Sequence, residues 1–183
     1  MESGFSLLMS TSHYGHQNKT SGVGIIQYCH RPFSSIEEMD DDLMRRHNEA
    51  VSPQDTTVHI GDFSYYNKQE TGKIIKKLNG DHIFLEGDHD RWLSSARQVW
   101  KKKIEDYFIV CCHWSMFSWP RAHYGSWCLY GHHHGRLQGP GKSMDVGVDT
   151  NNYFPYSLNE IKEIMKFKPE NPGLVKKTFG KEI

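Results

Sequence analysis

The chain carries no net charge: 22 basic residues balance 22 acidic ones over 183 positions. An evenly balanced surface offers no long cationic footprint for a DNA or RNA backbone, so nucleic acid is disfavoured as a partner and remains only a candidate substrate. The one basic run, Lys101-Lys102-Lys103, is short and reads as a solvated helix face. Cysteine is sparse. Of Cys29, Cys111, Cys112 and Cys128, none forms a CxxC pair, and the last three fall within apolar runs. Buried free thiols are therefore expected rather than disulfides, which suits a reducing cytosol. Long apolar runs are missing too. Phe5-Ser6-Leu7-Leu8-Met9 lacks a basic flank and is too short for a signal peptide or a membrane span. It reads as a strand, and the expectation is a cytoplasmic protein with no membrane partner. There is no internal repeat, no low-complexity block and no linker. One domain over residues 1–168, followed by a tail at 169–183 rich in Lys, Pro and Gly, accounts for the length.

Short apolar runs alternate with helical spacing. Strands are expected at 5–10, 56–60, 82–85, 107–112, 126–130 and 144–148. Helices are expected from Ser34 or Ser35 to Pro53, with Glu37 or Glu38 closing a capping box, then at 69–78, more weakly at 91–103, and at 157–165 with Ser157 and Glu160 as a second box. Strands interleaved with helices predict a layered α/β domain. Residues 18–24 read as a polar, Gly-rich loop. The aromatic stretch 114–125 has two readings, a packed surface patch or a wall of a substrate cleft.

Histidine is over-supplied, at 12 residues. His30, His47, His59, His82 and His123 have no special placing and read as ordinary structural residues. The other seven follow apolar runs. With nearby acids they form five short motifs: Thr11-Ser12-His13-Tyr14-Gly15-His16, Gly61-Asp62, Gly87-Asp88-His89-Asp90, Cys112-His113-Trp114 and Gly131-His132-His133-His134-Gly135. Ligands of α/β sheets bind beyond the carboxyl ends of the strands, so these motifs can meet in one place. If the last motif is extended, His132 and His134 share a face and His133 points away, with Gly131 and Gly135 allowing close backbone approach. Mixed imidazole and carboxylate ligands suit Mn, Fe, Zn or Ni better than Ca or Mg. Two such ions can clamp a phosphate and activate a water between them, and Asp62 is the candidate bridge.

In their order these motifs resemble the calcineurin-like metallophosphoesterases, whose signature runs DxH, GD, GNHD, H and GHxH. The segments Tyr28 to Asp40 and Asp145-Val146-Gly147-Val148-Asp149, with Pro155-Tyr156-Ser157-Leu158, resemble the small uncapped bacterial and phage branch of that family. The similarity spans residues 5–166. It implies a four-layer αββα sandwich and a dinuclear centre. One metal would take Thr11, His13, Asp62 and His134; the other would take Asp62, Asp88, His113 and His132. His89 would be the general acid, oriented by Asp90, with His16 and Arg31 as phosphate contacts. The implied activity is hydrolysis of a small phosphate ester, a diester before a monoester, by a metal-activated water.

Two positions depart from the pattern: Thr11 stands where the family has Asp, and Asp88 where it has Asn. The exchange moves a negative charge from the first metal to the second, predicting a weak first site and a stronger second one. Thr11 also supports an alternative, a catalytically impaired or dead binding module on the same fold. Retention of His89 and Asp90 with the ligands His13, Asp62, His113, His132 and His134 favours the enzyme.

Overall fold

The computed structural model describes residues 7–17, 23–94 and 97–171. Residues 5–6 of the first expected strand, 18–22 of the expected loop and 172–183 of the expected tail lie outside that range. The described residues form a mixed α/β structure with two four-stranded sheets and four helices.

The first sheet runs β3-β2-β1-β8, from Asp81–Leu85, Thr56–Ile60, Leu7–Ser10 and Tyr156–Ser157. Strands β1, β2 and β3 are parallel, and β8 is antiparallel at the edge. The second sheet runs β4-β5-β6-β7, from Val99–Ile104, Tyr107–Cys112, Trp127–Tyr130 and Ser143–Asp145. Here β5, β6 and β7 are parallel. Strand alternation sorts the side chains. Val58, Ile60 and Leu85 of the first sheet share one core with Ile109, Cys111, Trp127 and Leu129 of the second. Each sheet therefore buries one face against the other, and Ile161 and Met165 of α4 (Leu158–Phe167) complete that core.

The outer face of the first sheet carries Phe84 and supports Ile25, Met39, Leu43 and Ile74 from α1 (Ile25–Cys29), α2 (Ile36–Ala50) and α3 (Lys68–Ile75). Helix α2 starts where the sequence says it should: the Ser35 hydroxyl accepts the Glu38 amide at 3.1 Å, a cap contributing about 1 kcal/mol. Ser157 and Glu160 cap α4 reciprocally. The outer face of the second sheet is covered instead by the 114–126 segment, with Trp119 and Ala122 against Val110 and Cys128. That aromatic stretch is a packed patch over the sheet, and Trp114 is the member that reaches toward Asp88, its indole donating to Oδ2 at 3.4 Å. Cys111, Cys112 and Cys128 are buried free thiols, as composition implied.

Among its described residues the weaker helix expected at 91–103 is not formed, and 95–96 lie outside the described range. Residues 99–104 are β4, antiparallel to β5 and joined to it by a two-residue turn in which Glu105 has φ 51°. Lys, Arg and Ala favour helix, but pairing from Val99 with Cys112 to Ile104 with Tyr107, and burial of Trp100, outweigh that preference. The lysine run lies on an exposed sheet edge, where charge discourages further strand addition. Strand β7 is shorter than expected. Its end residue Asp145 turns the chain by accepting the Gly147 amide at 2.8 Å, and a 3-10 turn follows at Val148–Thr150.

Candidate metal centre

Five parallel strands, β1, β2, β3, β5 and β6, end beside one another, and each delivers one of the five motifs. The first strand pair continues past its ends, as the His13 amide donates to the Asp62 carbonyl and the Tyr14 amide to the Phe63 carbonyl, both at 2.9 Å. Asp40 of α2 secures the turn that follows, accepting the Gly15 amide at 3.0 Å and the Tyr66 hydroxyl at 2.8 Å. Two glycines permit the convergence. A Cβ on Gly87 would lie 2.2 Å from the Asp62 nitrogen, and one on Gly131 would lie 2.3 Å from Thr11 Oγ1.

Asp62 is the hub. Its Oδ2 is 3.2 Å from His13 Nε2, 3.2 Å from His113 Nε2 and 3.9 Å from His89 Nε2. Its Oδ1 accepts the His89 amide at 2.9 Å. Burial works to raise the Asp62 pKa, but hydrogen bonds from His113 and His13 outweigh it and hold the carboxylate ionised far below the usual range. On the far side, His132 Nδ1 is 3.3 Å from His113 Nε2 and 3.2 Å from Asp88 Oδ2. Asp62, His113 and His132 each turn one donor atom to a common point, all within 4.8 Å of one another. These groups could hold a metal ion.

The opposite nitrogens decide which imidazoles are ready to ligate. His113 Nδ1 faces the Ile60 carbonyl at 2.8 Å, which orients the ring and turns Nε2 toward Asp62. His134 Nδ1 is held by Asp149 at 2.8 Å, freeing its Nε2. His13 differs: its Nδ1 is buried with no hydrogen-bond partner. Burial pushes the His13 pKa down to about 3, with the Asp62 hydrogen bond opposing, so the ring is neutral. His113 Nε2 and His132 Nδ1 face each other at 3.3 Å, two nitrogen donors on one point of the cluster. A cation fits such a donor set better than protons do.

His13, Asp62, His132 and His134 all contribute to one cleft of about 370 Å³, with His16, Tyr65 and His89 on its wall. Several carried-over roles change. Asp90 does not orient His89. It is buried and accepts the amides of Phe63, Ser64 and Gly87 and the Trp92 indole, so it ties the second and third motifs together. The Tyr65 hydroxyl, 2.7 Å from His89 Nδ1, holds that ring instead. Arg31 does not face the cleft. Its side chain is fully buried and grips Asp149 through two nitrogens at 2.7 and 2.8 Å, with a third contact to the Ser12 carbonyl. Thr11 donates its hydroxyl to the Ile60 carbonyl at 3.3 Å rather than presenting it to a metal. His16 stacks on Tyr65 with ring centroids 3.9 Å apart, and burial lowers its pKa to about 4.

The last motif is not extended. His132 and His134 have φ of 64° and 51°, so they share a site through two left-handed turns rather than by strand alternation. His13 and Asp62 are also left-handed. Such backbone costs about 1–2 kcal/mol per residue in an ordinary context, and four of the nine described non-glycine residues that carry it are candidate ligands.

Sequence reasoning missed Asp149 and Tyr65. Asp149 with His134 and Cys29 forms a second group of converging donors. It is less suited to a metal, because Arg31 occupies the carboxylate and burial raises the Cys29 pKa to about 11, keeping the thiol protonated. Asp149 closes the Asp145–Asp149 segment, and nothing local marks its role, since its partners are 15 and 118 positions away.

No protein-family profile matches the chain. It is 29% identical over 168 residues to the uncharacterized protein MJ1445 of Methanocaldococcus jannaschii, covering 87% of this chain and 90% of that one. The crystal structure of AQ665 from Aquifex aeolicus, a protein of unknown function, superposes with a TM-score of 0.68 at 19% identity, over 88% of this chain and all of that one. The likeness extends to the fold.

Proposed function

We propose that the protein is a metal-dependent phosphoesterase of the calcineurin-like type, acting on a small phosphodiester. The observation that carries this reading is the single Asp62 oxygen set 3.2 Å from imidazole nitrogens on both sides, His13 and His113. A bridging carboxylate between two imidazole sets is what a dinuclear site requires. Within the proposal the firm ligands are Asp62, His113 and His132, supported by Asp88. The first position, His13 and His134 with Asp62, is weaker, because Thr11 supplies no charge and Arg31 places a fixed cation next to Ser12. The donor chemistry suits Mn, Fe, Zn or Ni. The four-layer sandwich and a cytoplasmic location, the latter consistent with three buried free thiols, belong to the same proposal.

When bound, the metal would supply a Lewis acid and an activated water. The chain's own residues do the rest. His89 Nε2 lies at the cleft beside Asp62, and its Nδ1 is held by the Tyr65 hydroxyl. That hold fixes the ring so that Nε2 can deliver a proton to a leaving oxygen. His16, neutral and stacked, packs against His13 and Tyr65 and keeps that wall rigid.

Thr11 supports a second reading, a binding module that has lost activity, since its hydroxyl is committed to the Ile60 carbonyl. Metal analysis and hydrolysis of a chromogenic phosphodiester with Mn, Zn or Ni separate the two. The enzyme reading expects metal-dependent turnover that Asp62→Asn abolishes together with metal binding. Metal retention without turnover in any of the three ions would favour the module.

A further inference from the structure

The cleft has a feature that the phosphoryl chemistry does not use. At the mouth beside His134, Tyr28 is 54% exposed and Val23 is 48% exposed, although both line the cleft. Tyr28 belongs to α1, which the fully buried Ile25 anchors while the tyrosine stays more than half exposed. The Arg136 guanidinium lies 4.2 Å over the Tyr28 ring and donates to the Tyr28 carbonyl. Among the described residues Arg136 has no carboxylate partner. The Tyr28 ring meets the His134 ring edge-on, with centroids 6.1 Å apart and planes at 79°. A flat guanidinium, fixed on an aromatic ring by two contacts, therefore sits one side chain away from a candidate ligand.

An exposed arginine normally samples many rotamers. Here the ring below and the carbonyl beside it hold the plane, so little freedom is lost when something stacks on it. An alkyl group would gain little from such a surface. A second phosphate would want the guanidinium edge, where the Tyr28 carbonyl already engages Nη2. A nucleobase fits: its π-face stacks on guanidinium and tyrosine planes alike, and a ribose is a short enough tether to leave the attached phosphate at the ligand cluster. Resting on the phosphoesterase reading of the cleft, we infer that the Tyr28–Arg136 pair is a base-stacking subsite and that the substrate is a phosphodiester of a nucleoside.

Equilibrium binding tests this without turnover. Adenosine 5′-monophosphate and ribose 5-phosphate are titrated into the metal-loaded protein by calorimetry. The nucleotide should bind about 10-fold tighter or better, the span expected for one stacked base. Tyr28→Ala and Arg136→Gln should each bring the two ligands close to equal. Arg136→Lys, which keeps the charge and loses the plane, should not restore the preference. Equal binding of both ligands by the unmodified protein overturns the subsite. So does a preference that survives Tyr28→Ala and Arg136→Gln, or an Arg136→Gln variant that weakens both ligands alike while Tyr28→Ala does nothing, which would make Arg136 a charge contact only. Chromogenic diester hydrolysis is assayed on the same samples. Base preference without hydrolysis would remove the enzyme reading and keep the subsite; hydrolysis without base preference would do the reverse.

Discussion

Replacing Thr11 by Asp restores the charge that the ligand pattern lacks, and its effect should change sign with metal. Thr11 is 2% exposed and gives its hydroxyl proton to the Ile60 carbonyl. Without metal, a carboxylate at this position faces that carbonyl and loses a hydrogen bond contributing about 1 kcal/mol. It must also lose its hydration, or take up a proton at a raised pKa. Neutralising an ordinary aspartate at neutral pH costs about 4 kcal/mol, which limits the penalty. The net expectation in EDTA is a loss of about 2–4 kcal/mol, or about 5–15 °C in Tm for a chain of this size. With Mn present the carboxylate acquires a partner, the loss is recovered by ligand linkage, and occupancy of the His13 and His134 position rises. Thermal melts in EDTA and in Mn, with metal counted per chain, measure both halves. About one ion per chain is expected for the parent and about two for the variant, with diesterase activity rising in step. A variant as stable as the parent in EDTA that binds no additional metal would refute the reasoning, because Thr11 would then lie outside the reach of any ion.

Three other outcomes are expected. His89→Asn should leave metal content intact and lower kcat by about 10²–10⁴; Tyr65→Phe, which removes only the bond to His89 Nδ1, should lower it less, and loss of metal in either would make His89 a ligand. Asp149→Asn leaves the buried Arg31 without its counter-charge and should destabilise by about 3–5 kcal/mol in chemical denaturation, while Arg31→Met in the same background should recover part of that loss. Finally, His47, His59 and His82 cluster with ring centroids 5.2–6.0 Å apart, and burial lowers the pKa of each, that of His47 from 6.5 to about 4. An imidazole kept neutral in the fold takes up its proton on unfolding, so this stability is complete above pH 6.5 and is lost as pH falls toward 4. His47 alone accounts for about 3 kcal/mol of it. Denaturation midpoints at pH 7.5 and 5 should differ accordingly, and His59→Phe should flatten the slope; a parent equally stable at both pH values would contradict the cluster's neutrality.

Much was legible in the chain because it was written locally. Strands β2 and β5 match their apolar runs residue for residue, and α2 and α4 begin at the serine caps expected of them. A cap or a strand pattern depends on neighbours within a few positions. The five motifs were legible for the same reason: each is a short string at the end of a run, and parallel strands necessarily deliver their ends to one side of a sheet. Tertiary structure alone decided what depends on distant partners. Helix preference at 91–103 yielded to β4 because β5 offered a ladder. Asp90 looked like an orienter of its neighbour His89 but is satisfied by backbone amides some 26 positions away, while Tyr65, from another loop, holds His89. Arg31 found Asp149 across 118 residues and became a buried ion pair rather than a phosphate contact. The left-handed backbone at His13, Asp62, His132 and His134 carries no sequence signature, since nothing local favours it. Residue types determined which chemistry the chain can perform. Which nitrogen is free, which carboxylate is already engaged and which ring stands exposed at the mouth were settled only when the two sheets closed on each other, because each of those facts is a contact between segments that the sequence keeps far apart.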